Sequence, residues 1–159
     1  MNSNLEKSLQ LIDPDRFRPF GQVIYPQRDD KPWDENDANL DLSQGIPRVY
    51  IMTLKNQGLT FNKITQHRRC TQCLAAIGGG EWFLGVARPE IAPDRLLATD
   101  VFVFRIKEHC LIKLEKGTWH AGPYFVAEAM DFFNLELTDT NITDHHCVEL
   151  DRSITFALE

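Results

Sequence analysis

Two histidines stand where this chain could move protons. His67 follows an alternating run, Leu59 to Gln66, and His120 lies within Lys116-Gly117-Thr118-Trp119-His120-Ala121-Gly122-Pro123. Imidazole titrates nearest neutral pH, so a pair facing one cavity can take a proton from one ligand atom and return it to another. The glycines permit a turn that other residues resist, and Pro123 fixes φ behind them. The segment therefore reads as a turn that holds His120 at a strand end. Lys63 and Thr65 alternate with His67 and share its side. Gln72 adds an amide able to orient a polar ligand group. Arg68 and Arg69 supply positive charge beside His67, as a carboxylate ligand would require. Glu115 and Glu136 are the acids expected near His120.

Other motifs carry less. In metal-binding jelly rolls of the cupin type, a His-x-His-x4-Glu motif is completed by a later histidine. Those places fall here on Thr65, His67, Gln72 and His120. Two imidazoles and an amide lack the anionic ligand that usually holds a divalent metal, so neither metal nor other cofactor is expected. Cys70-Thr71-Gln72-Cys73 has no second such motif to pair with in a zinc site. His145 and His146 are adjacent on an extended chain and point in opposite directions, so they read as loop residues. Gly78-Gly79-Gly80 precedes neither a Lys-Ser/Thr pair nor a helix and is no phosphate loop.

The elements that must position the histidines read as strands. Asp13-Pro14 caps a short helical turn. Strands are expected at Phe20–Tyr25, Val49–Leu54, Leu59–Gln66, Thr71–Ile77, Glu81–Ala87, Val101–Ile106, Cys110–Leu114 and Met130–Leu137. Between the first two runs a polar stretch, residues 26–47, reads as a surface loop or flap with Trp33 and Leu40 as its apolar anchors. Short strands with turn signals between them and almost no helical period predict an all-β sandwich or small barrel.

At 159 residues the chain suits one domain, 1–159. Its net charge of −6, with no basic block, argues against a nucleic-acid partner. No run reaches the length of a membrane span, and the first residues lack the apolar core of a signal peptide. Four cysteines without an export signal read as reduced thiols, which places the expectation in the cytoplasm.

Several segments together resemble the ureidoglycolate lyase family, once called ureidoglycolate hydrolase. They are Phe20-Gly21-Gln22-Val23-Ile24, His67 with Thr71-Gln72, Phe83-Leu84-Gly85-Val86-Ala87, Gly117-Thr118-Trp119-His120 and Asp131-Phe132. Asn36 to Ser43 and Asn134 to Leu137 look most like an uncharacterised branch of that family in plants and photosynthetic bacteria. The resemblance implies a cupin-type antiparallel β-barrel (a double-stranded jelly roll), usually a homodimer. It implies cleavage of ureidoglycolate, a small carboxylate of purine (allantoin) breakdown, to glyoxylate and urea. Carried over, His67 and His120 are the catalytic pair. Gln72 and Trp119 join Lys63, Arg68, Arg69 and Glu115 as expected substrate-binding residues. Where the family's bacterial enzymes read Glu-Arg-His, this chain has Thr65-Gln66-His67, and Glu136-Leu137 replaces their Asp-Arg. A non-catalytic cupin binding a small metabolite and a metal-dependent cupin enzyme are the alternative readings.

Overall fold

A computed structural model describes residues 3–107 and 109–158. Among them, two sheets face each other. One runs in the order β1-β12-β5-β10-β7-β8-β2 and the other β3-β9-β6-β11-β4. The strands are β1 (Leu5–Lys7), β2 (Leu9–Leu11), β3 (Gly21–Ile24), β4 (Pro47–Lys55), β5 (Thr60–Gln66) and β6 (Gln72–Ala76). They continue with β7 (Trp82–Ala87), β8 (Phe102–Ile106), β9 (Leu111–Leu114), β10 (Trp119–Tyr124), β11 (Ala129–Leu137) and β12 (His146–Phe156). Pairings are antiparallel except β1 with β12 and β2 with β8. This is an all-β, jelly-roll-like barrel. No helix among the described residues is long and apolar enough to cross a membrane.

Side-chain alternation explains the layers. In β4, Arg48, Tyr50, Met52 and Leu54 are part-buried while Val49, Ile51 and Thr53 are exposed, the period of a strand with one inward face. β7 is buried along its whole length. Its Trp82, Leu84 and Val86 join a core with Phe17, Phe104 and Phe132. Its Phe83 and Ala87 join a second core with Trp119, Val103 and Phe156. At β7 the seven-stranded sheet is thus apolar on both faces.

Every predicted strand is present, with ends shifted by a residue or two. The helical turn is α1 (Pro14–Phe17), where the Asp13 carboxylate accepts from the Asp15 and Arg16 amides at 2.9 and 3.1 Å. Among the described residues, four strands and two short helical elements were not foreseen: β1, β2, β10, β12, α2 (Thr140–Thr143) and a 3-10 turn at Ala98–Asp100. The glycine-proline segment expected as a turn is mostly strand β10. Its pairing with β7 shifts between Ala121 and Tyr124, where Gly122 takes φ +106°, so the irregularity absorbs Gly122-Pro123 without ending the strand.

The 26–47 loop is held by polar contacts rather than by its apolar residues. Trp33 is 82% and Leu40 42% exposed, which corrects their expected role as anchors. Instead Gln22 binds the loop on both sides of its amide: Nε2 donates to the Asp37 carbonyl (3.1 Å) and Oε1 accepts from the Asn39 amide (2.8 Å). The Asp41 amide donates to Thr71 Oγ1 at 2.9 Å, and the Thr71 amide returns a bond to the Asp41 carbonyl at 3.1 Å.

Candidate functional site

Between the sheets lies an open cavity of about 370 Å³. The period of β5 aims Lys63 and Thr65 into it, and His67 follows just past the strand end. His120, on β10, lies opposite Thr65 in register. From the facing sheet come Gln72 and Leu74 of β6, Asn134 and Glu136 of β11, and Tyr50 and Met52 of β4. Asn141 borders the cavity from α2, and His145 from the turn between α2 and β12. None of residues 26–47 lines it, so the polar loop is not a flap over this cavity.

Backbone contacts bring the two histidines together. The Gly117 amide donates to the His67 carbonyl at 2.6 Å, and Gln66 Nε2 donates to the Gly117 carbonyl at 2.7 Å. Gly117 has φ +83°, a conformation that favours glycine, and this turn latches the start of β10 to the end of β5. The imidazole rings stand 4.9 Å apart, centroid to centroid, with 54° between their planes.

Asp144 fixes the state of His67. Its backbone carbonyl lies 2.7 Å from His67 Nδ1, and a carbonyl can only accept, so Nδ1 carries the proton and Nε2 is left as the acceptor. The Asp144 carboxylate meanwhile takes the Arg68 and Arg69 amides at 2.9 and 2.8 Å. Burial is the main influence on His67 and lowers its pKa below the usual histidine value, with the Asp144 carbonyl opposing. Among the described residues, the one hydrogen-bond contact of the His120 ring is long, Nδ1 to the Thr118 carbonyl at 3.4 Å. Burial, reinforced by His67, pushes His120 down to about 3, so it is neutral in the working pH range.

A second polar chain runs along the opposite wall. Arg48, opposite Glu136 in the β4–β11 register, approaches its carboxylate with Nη2 at 3.2 Å. Asn134 Nδ2 donates to the other carboxylate oxygen, and Gln72 Nε2 donates to Asn134 Oδ1 at 2.9 Å. Glu136 and Asn134 are 1% exposed.

Of the expected site residues, His67, His120, Gln72 and Lys63 meet at the cavity. Four others do not line it. Trp119 neighbours His120 on a strand and therefore points to the opposite face, into the second core, where its Nε1 donates to the Ile91 carbonyl at 3.0 Å. Arg68 turns back to Gln66 Oε1 (2.7 Å), while Arg69 reaches Asp139 and Thr143 on the surface. Glu115 is exposed and pairs with Lys113, and it borders, outside the cavity, a small crevice shared with His67, Gln72 and His120, as its expected place near His120 required. The arginines and Glu115 follow strand ends, where the alternation that placed Lys63 no longer applies.

His145 is the residue that sequence reasoning passed over. Its ring lies 5.8 Å from that of His67, while His146 turns to Asp144 at 3.3 Å. The opposed directions of neighbouring residues were legible; that one of them leads inward was not. Asn134 had a usable signal, a polar residue at the inward period of β11 that continues the apolar Met130 and Phe132.

Among the described residues, no group of three or more His, Cys, Asp or Glu is arranged to hold a metal ion. Cys70 and Cys73 are free buried thiols, and burial raises Cys73 to about 11. No family model matches the chain, and no curated protein matches it.

Proposed function

We propose that the chain is a ureidoglycolate lyase-like enzyme that cleaves a small ureido carboxylate to glyoxylate and urea. The observation that carries this reading is the pair of imidazoles, 4.9 Å apart, at a cavity whose other walls carry amides, one lysine and the Arg48-paired carboxylate of Glu136. Ureidoglycolate is a carbinolamide. Its hydroxyl oxygen loses a proton as the C=O bond of glyoxylate forms, the C–N bond breaks, and the urea nitrogen gains a proton. One proton leaves oxygen and one reaches nitrogen, so a single shuttle balances the reaction.

His67 suits that shuttle. Its free Nε2 takes the hydroxyl proton, and the Asp144 carbonyl steadies the imidazolium through Nδ1–H. His120 is the harder of the two to protonate, so it serves as a neutral hydrogen-bonding partner that keeps the hydroxyl aligned. Lys63 meets the carboxylate, and Gln72 binds the ureido end. A cytoplasmic homodimer accompanies this reading, and sedimentation of the purified protein tests the assembly.

Incubation of the purified protein with ureidoglycolate, with glyoxylate and urea measured separately, is the deciding experiment. Equimolar release above the spontaneous rate is expected. Binding without release would make the chain a metabolite-binding cupin instead.

A further inference from the structure

Glu136 sets the direction of a chain of hydrogen bonds that ends at the cavity. Its carboxylate, paired with Arg48, can only accept. Asn134 must therefore offer its NH₂ to Glu136 and turn Oδ1 toward Gln72. Gln72 must in turn offer its NH₂ to Asn134, as its 2.9 Å contact records. That leaves Gln72 Oε1, which is buried and has no partner among the described residues, on a residue only 7% exposed that lines the cavity. A buried carbonyl without a donor is costly, and a ligand that supplies one relieves the cost. Both amides would be free to flip if their neighbours were neutral. The carboxylate removes that freedom.

We infer that Gln72 Oε1 is a binding acceptor whose polarity Glu136 dictates through Asn134. The cavity thereby selects ligands presenting an amide-type N–H at this wall over isosteres presenting an ether or ester oxygen. Gln72 touches the ligand, whereas Asn134 and Glu136 act as positioning residues. This rests on the cavity being the binding site of the proposed function, but it does not require turnover.

The test uses two probes that differ at one atom, N-acetylglycine and acetoxyacetate, in which the N–H is replaced by oxygen. Neither contains the carbinolamide, so absent lyase activity would leave this measurement intact. Calorimetric titration of the wild-type protein should favour N-acetylglycine by roughly tenfold or more. Glu136→Gln frees the amides to reverse, and the preference should fall below about threefold. Gln72→Met, which keeps the Arg48–Glu136 pair, should fall likewise and covers the case in which Glu136→Gln does not fold. Equal affinity of the wild type for the two probes would overturn the inference, as would no binding of either. So would a preference that survives in Gln72→Met or in a folded Glu136→Gln.

Discussion

His67 meets the cavity through Nε2 because its Nδ1–H is committed to the Asp144 carbonyl, whereas His120 has no comparable tether. The difference separates their expected mutant behaviour. His67→Ala removes the shuttle and should lower kcat on ureidoglycolate at least about a hundredfold. His120→Ala should do the same if it aligns the hydroxyl, while His120→Asn, which retains a hydrogen-bonding group, should recover part of the loss. Steady-state assays of the three variants check both statements. Burial lowers the His67 pKa, and its neutral form is the base of the proposed reaction. Activity should therefore be flat near neutrality and fall only as pH drops below 6.5, the ordinary histidine value. A kcat/KM profile whose acid limb lies above that value would contradict this assignment. At this scale the sequence was informative where strand period applied, at Lys63 and Thr65, and one step past it at His67. It misled where a residue sat beyond a strand end or beside the inward one, as with Arg68, Arg69 and Trp119.

Two elements depend on backbone contacts that only the fold reveals. The Asp144 carboxylate caps the amides of Arg68 and Arg69 as the chain leaves β5. Asp144→Ala strands both donors and should cost about 1–3 kcal/mol in urea unfolding. It should also lower activity by loosening His67. On the other sheet, a Cβ on Gly21 would lie 1.8 Å from the Lys113 carbonyl of the paired strand β9. Gly21→Ala must therefore push β3 off β9, and loss of soluble protein or a large drop in Tm is expected, read by thermal denaturation. Neither dependence was legible in the sequence. β12 was equally hidden, because Glu149, Asp151 and Arg152 interrupt its apolar period and its pairing with β5 shifts between Glu149 and Ile154. The eight strands that were read correctly have either clean alternation or short apolar runs between turn residues.

For the whole molecule, the two buried neutral histidines link folding to pH. An unfolded chain protonates His120 below pH 6.5, but the folded chain resists this down to about 3. The unfolded state thus binds more protons between those values, and stability must fall as pH falls through that window. The slope from one such group is about 1.4 kcal/mol per pH unit, and His67 adds to it in the same direction. Urea unfolding at neutral and mildly acidic pH should show the loss, and His120→Asn should flatten it. An unchanged slope in that variant would mean that His120 is not the linked group. The all-β class followed from strand spacing alone. What spacing could not supply was the burial of β7 on both faces, since a continuous apolar run does not say what covers it.

That double burial distinguishes the two imidazoles in time as well as in place. β7 amides, shielded on both sides, should be among the last to exchange with deuterium. His120 stands on β10 directly opposite Val86 of β7 and so rides on this slowly opening ladder. His67 lies just past the β5 ladder, steadied by a carbonyl from the α2–β12 turn. The backbone amide of His120 should therefore exchange with deuterium more slowly than that of His67.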